Sequence, residues 1–153
     1  MNKSEFESEV LEHLRRTAIM ALSTIDDCFP QVAYVLFTAD AEFNFYFATR
    51  PSTAKVKSIN KNNRVSLTTG IARPFNVQAS GLAEVVSDQD ESARILNDLA
   101  KVGAGIDNFW PPLLHMGDEE YLVYRVKTDW VRVLDLRSSI INEPKSIFRI
   151  LKG

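Results

Sequence analysis

The chain has 153 residues, 45% of them hydrophobic, 25% charged and 10% aromatic, with six glycines and six prolines. Such a composition excludes collagen-like and disordered classes and fits one domain, 1–153, with enough apolar surface for a core. A net charge of −2, one cysteine and two histidines argue against nucleic-acid binding, an internal disulfide and a Cys-based metal site.

Residues 4–16 predict an amphipathic helix: Phe6, Val10 and Leu14 recur every four residues, and Ser4 and Glu7 have capping-box spacing. The first five residues show no basic-then-apolar leader, and no apolar run approaches the ~18 residues of a membrane span, so the expected location is the cytoplasm, without a membrane partner. Thr17–Thr24 reads as a strand ended by the Asp26–Pro30 turn cluster, and Gln31–Thr38 as a second strand. After a short link at 39–42, Phe43–Thr49 makes a third strand, with Phe43, Phe45 and Phe47 alternating onto one face. Pro51 and Ser52 then switch the period to that of a helix, with Ser52 as cap and Val56 and Ile59 on one face, through Asn62.

Arg64–Thr69 is a fourth strand and Phe75–Val86 a fifth, whose internal Gly81 marks a bulge or a tight bend. Ser87 or Asp88 caps a further helix with an expected core face of Ala93, Leu96, Leu99 and Ala100. Residues 103–117 read as an irregular loop rich in aromatics and proline. Two closing strands follow near 119–127 and 130–136, and Pro144 opens a short C-terminal helix. Consecutive hairpins with two inserted helices suit a small antiparallel barrel rather than parallel βαβ units.

Charge is unevenly placed. Between Phe43 and Ala83 there is no Asp or Glu, yet the stretch holds Arg50, Lys55, Lys57, Lys61, Arg64 and Arg73. This segment carries +6 and the rest of the chain −8, with 12 cations against 20 acids, so a local anion site is expected. Within it, Thr49-Arg50-Pro51-Ser52-Thr53-Ala54-Lys55 puts hydroxyls and a lysine where a strand gives way to a helix. Free N–H groups and the positive dipole end at a helix start suit a phosphate. Ser and Thr are equally good plain caps, so the spacing alone leaves both readings open.

The run Phe45–Gly70 resembles the core of the pyridoxamine 5′-phosphate oxidase-like, FMN-binding split-barrel family, in its short general-stress-protein branch. Thr49, Thr53, Lys55, Asn62 and Arg64-Val65-Ser66-Leu67 match the family's pattern. The resemblance implies a mainly β (α+β) fold, a six-stranded antiparallel split barrel with short flanking helices. It further implies a homodimer that holds FMN at its interface and acts on a small-molecule electron donor. Thr53 and Lys55 would hold the phosphate, and Thr49 would lie near the flavin or ribityl chain. Val32 to Val35 would line the ring edge, and Asn76 would contact the flavin. Arg50 is a candidate to replace the arginine of the true oxidases, where this chain has Ala54. The oxidases' C-terminal Arg-Leu-His motif has no counterpart in Val133-Leu134-Asp135-Leu136, so oxidation of the vitamin phosphate itself is not expected.

Trp110, with Phe109, is a candidate cap on the pocket, and His115 a candidate proton donor or haem ligand; ordinary loop packing is the competing role for each. No carboxylate pair or Ser/His/Asp set is readable, and catalytic residues stay unassigned. The leading reading is an FMN-dependent oxidoreductase. The alternative is a non-catalytic flavin- or haem-binding protein. A third class, an oligonucleotide binder using Phe45 and Phe47 as stacking platforms, conflicts with the acidic balance. A surplus of large aromatics, among them Phe29, Phe43, Phe45, Tyr46, Phe47 and Phe75, predicts a dimer interface.

Overall fold

The computed structural model describes residues 2–70, 73–106, 120–137 and 147–153. Helix α1 (Lys3–Thr17) begins two residues earlier than Ser4 and Glu7 would set it. The Asn2 side chain accepts from the Glu5 backbone N–H at 2.9 Å, and the Asn2 N–H donates to Glu5 Oε2 at 3.0 Å. This reciprocal pair satisfies two otherwise orphaned donors.

Strands β1 (Ile19–Asp26), β2 (Phe29–Leu36), β3 (Thr38–Ala39) and β4 (Phe45–Thr49) follow. Next come helix α2 (Ala54–Lys61), strands β5 (Arg64–Thr69) and β6 (Phe75–Val85), and helix α3 (Gln89–Ala104). Strands β7 (Leu122–Asp135) and β8 (Phe148–Lys152) complete the described elements. One antiparallel sheet runs β2-β1-β5-β6-β7-β4-β3, with β8 on the C-terminal half of β7. The sheet curls into a split barrel, which is the expected fold. Its strand count exceeds six because the two-residue β3 and the C-terminal β8 add to the expected strands.

Helix α1 plugs the barrel. Phe6, Val10 and Leu14 join Met20, Leu22, Phe37, Phe43, Phe45, Phe47, Phe75 and Tyr124 in one core. The third-strand aromatics thus all point inward, as their alternation predicts. Phe45 and Phe47 are fully buried, so neither can serve as a stacking platform. Of the aromatics Phe29, Phe43, Phe45, Tyr46, Phe47 and Phe75, the last five are buried in the core and only Phe29 is left exposed for an interface.

Helix α3 covers a second cluster of Leu36, Tyr46, Ala48 and Val123. Its buried face is Ile95, Leu99 and Gly103, while Ala93 is exposed. The face is rotated from the expected one because an alanine fits either side at little cost.

The expected break between two closing strands is instead a bulge within β7. Ser80 pairs Trp130 and Gly81 pairs Thr128, so Asp129 is left over. A Cβ at Gly81 would lie 2.2 Å from the Lys127 carbonyl oxygen, so only glycine fits there. Opposite, Thr128 is buried, its hydroxyl donating to the Phe43 carbonyl at 2.8 Å and its N–H to Asn44 Oδ1 at 3.2 Å. The helix expected at Pro144, most of the 103–117 loop, Phe109, Trp110 and His115 lie outside the described residues. Among the described residues, no helix is long and apolar enough to cross a membrane.

Candidate functional site

The Thr49–Lys55 segment forms the corner between β4 and α2. Thr49, the last residue of β4, is buried and pairs Leu122 of β7. The chain turns through Arg50–Ser52, with the Thr53 N–H donating to the Arg50 carbonyl at 3.2 Å. Thr53, rather than Ser52, is the N-cap of α2. Its backbone has the extended cap conformation, yet its hydroxyl does not cap the helix. That hydroxyl sits 3.0 Å from the Thr49 hydroxyl instead. Among the described residues, no side chain caps the first-turn N–H groups of α2.

Beside them opens a cleft of about 270 Å³, lined by Leu22, Thr24, Gln31, Val32, Ala33, Ala54 and Lys55. It exists because α2 packs across β1, leaving the far end of β2 uncovered. Thr24 and Gln31 are register partners across β1 and β2, so both side chains reach the same wall. Lys55 is half-buried, and burial pulls its ammonium below the ordinary 10.5. No described residue forms a hydrogen bond or ion pair with it. Lys61, one helix face away, is compensated by Asp26 and Asp27, each 3.9 Å distant. An uncompensated cation held in a partly dry cleft favours an anionic ligand.

The predicted site residues separate into groups. Lys55 and Val32 line the cleft, while Thr49 and Thr53, which share one hydroxyl contact, are not among its lining residues. Arg50 is half-buried in the turn between them. The Val35 side chain is in the core, paired with Met20, so only main chain on the free edge of β2 faces outward there. Asn76 lies across β5; its amide N–H groups go to the Thr69 carbonyl at 2.7 Å and the Thr68 hydroxyl at 3.1 Å. Trp110 falls outside the described residues. Thr24 and Gln31 were invisible to motif reasoning, because their place in the cleft depends on where a distant helix packs.

A larger hollow of about 390 Å³ lies on the outer sheet face over Ser23, Ser66, Ser80 and Leu82. Its cation, Arg64, is exposed, and it lacks a helix start. The smaller cleft has the stronger chemistry.

The family model for pyridoxamine 5'-phosphate oxidase matches residues 6–135. No curated protein sequence matches the chain significantly. Among solved structures, a protein related to general stress protein 26 from Clostridium acetobutylicum is 16% identical with a TM-score of 0.68, over 99% of this chain and 96% of that one. General stress protein 26 from Bacillus anthracis is 18% identical with a TM-score of 0.65, over 84% and 93%. A pyridoxamine 5'-phosphate oxidase-related, FMN binding protein from Nostoc punctiforme is 13% identical with a TM-score of 0.65, over 91% and 87%.

Proposed function

The chain belongs to the pyridoxamine 5'-phosphate oxidase family, and on that premise we propose that it is an FMN-binding flavoprotein oxidoreductase acting on a small-molecule donor. The observation that carries this reading is Lys55, a half-buried cation without a counter-charge at the first turn of α2. The residues present fit a phosphate. Lys55 offers an ammonium, the Thr49–Thr53 pair offers hydroxyls, and the helix start offers uncapped N–H groups. Thr24 and Gln31 add neutral hydrogen-bonding groups on the opposite wall. Bound there, the flavin would supply two-electron redox chemistry. The protein's part is to anchor the phosphate and to present the free edge of β2 to the ring.

The same reading makes the protein a homodimer with the cofactor at the interface. Phe29, Val32 and Tyr34 are about 70% exposed, at 71%, 69% and 74%, along edge strand β2 next to the cleft. A second chain laid along this edge would remove that apolar surface from water. A cytoplasmic location belongs to this proposal as well.

One observation favours the alternative, a flavin carrier without turnover. Lys55 is the only ionisable residue among those lining the cleft, so no described acid or base stands ready to move a proton. The haem version has less support, since the one described histidine, His13, is buried in the core against Phe75.

The absorption spectrum of freshly purified protein, with sedimentation velocity, tests the proposal. Flavin bands at close to one FMN per chain and a dimeric sedimentation coefficient are expected. A colourless protein that takes up no added FMN overturns it. Steady-state turnover with a reduced nicotinamide then distinguishes enzyme from carrier.

A further inference from the structure

We propose that Arg132 is the recognition fork of a second ligand site, on the outer face of the sheet, for the carboxylate of a planar aromatic acid. The arginines around it show why. Arg125 is neutralised by Glu84 at 3.2 Å and Arg137 by Asp135 at 2.7 Å. Arg132 has no carboxylate partner among the described residues. Its Nε and Nη2 both donate to the neutral Gln78 Oε1, at 3.1 and 2.6 Å.

This contact holds the guanidinium plane without cancelling its charge. A guanidinium has five N–H donors, and two are spent on Gln78. Both N–H groups of Nη1 and one of Nη2 remain, the edge that meets a carboxylate in a bidentate pair. Gln78 and Arg132 are register partners across β6 and β7, so the fork rests on the centre of the sheet rather than on a loop.

Aromatic walls flank the charge. The guanidinium carbon lies 5.4 Å from the Trp130 ring centre and 4.7 Å from that of Phe148. Phe148 is 43% exposed and Ile150, beside it on β8, 51% exposed. A ligand carrying both an anionic head and a flat ring satisfies the fork and covers this apolar surface together. The site is separate from the cleft at Lys55. None of Gln78, Trp130, Arg132 and Phe148 is among the residues that line that cleft.

Isothermal titration calorimetry of the full-length protein with benzoate, benzamide and cyclohexanecarboxylate tests the assignment. Saturable heat is expected with benzoate, at least tenfold weaker binding with uncharged benzamide, and intermediate binding with the non-aromatic acid. Arg132→Gln should weaken benzoate at least tenfold. Arg132→Lys, which keeps the charge but loses the fork, should fall between wild type and that variant. Gln78→Leu, which leaves the guanidinium unheld, should weaken benzoate by a smaller factor and keeps the test decisive if Arg132→Gln proves poorly folded. No saturable benzoate heat from the wild type, or equal affinity for benzamide, overturns the proposal. So does unchanged benzoate affinity in folded Arg132→Gln protein, which would leave Arg132 a purely structural role.

Discussion

Two cations in this molecule, the exposed Arg137 and the half-buried Lys55, are treated in opposite ways. At the end of β7, Arg137 donates from Nε and Nη2 to Asp135 and from Nη1 to Glu9 of α1. Its guanidinium also lies 5.0 Å from the Phe75 ring centre. Burial pushes the Asp135 carboxyl up, but the hydrogen bonds from Arg137 outweigh it and hold the group below its ordinary 3.8. At the start of α2, Lys55 receives nothing comparable, and burial alone sets its direction. The first cation is spent on fastening the plug helix to the barrel. The second is kept in reserve, at a cost in stability that a bound anion would offset.

Breaking the fastened pair should show the largest effect. Asp135→Asn leaves Arg137 with Glu9 alone. Full burial would make such a loss ~3–5 kcal/mol; because the Arg137 side chain is 35% exposed, solvent screening reduces it to roughly 1–3 kcal/mol. Urea unfolding should report that loss with FMN affinity unchanged. The pH dependence follows from the sign of the shift. The native carboxyl is the stronger acid, so its contribution is fully present above the unfolded value of 3.8. It is lost as pH falls through the lower native value.

Lys55→Ala should behave in the reverse manner. FMN should bind about ten- to a hundredfold more weakly, as the loss of a charge-assisted contact worth ~1.5–3 kcal/mol predicts. Thermal unfolding of the FMN-free protein should meanwhile stay the same or rise, because an uncompensated charge has gone. A drop in stability like that of Asp135→Asn would erase the distinction between the two cations. The alkaline limb sharpens it: Lys55 loses its proton below 10.5, so FMN affinity, followed by flavin fluorescence, should already be falling as pH approaches that value. Lys55→Arg should postpone that fall.

Smaller effects complete the series. Thr53→Ala removes one hydroxyl of the 3.0 Å pair and should cost on the order of 1 kcal/mol in FMN binding. Lys57→Ala, exposed and about 200° around the helix from Lys55, should change flavin affinity hardly at all.

Local patterns carried the parts of this molecule that local physics decides. The alternation of Phe43, Phe45 and Phe47 placed a core strand, Gly81 marked the bulge, and Pro51 with Ser52 marked the helix start one residue before its cap at Thr53. What stayed hidden depends on long-range register. Nothing near Thr24 or Gln31 says that α2 will pack across their strands. Lys127-Thr128-Asp129 looks like a turn until the clasp by Phe43 and Asn44 is seen. The pairing of β8 with β7 and the meeting of Arg132 with Gln78 likewise join residues remote in sequence. The family resemblance supplied the cofactor hypothesis; the residues alone left phosphate cradle and helix cap in balance.

The position of β7 has a consequence for how the chain must be made. It hydrogen-bonds β6 on one side and β4 and β8 on the other, yet it starts only at Leu122. Until then a nascent chain can build the β2-β1-β5-β6 sheet and the two-residue β3–β4 ladder, but no strand ladder joins them. Phe45 and Phe47, fully buried at the end, sit meanwhile on a strand with an open edge. Vectorial synthesis therefore leaves roughly the first four-fifths of the polypeptide waiting for its keystone, and that interval is when it most needs protection from its neighbours.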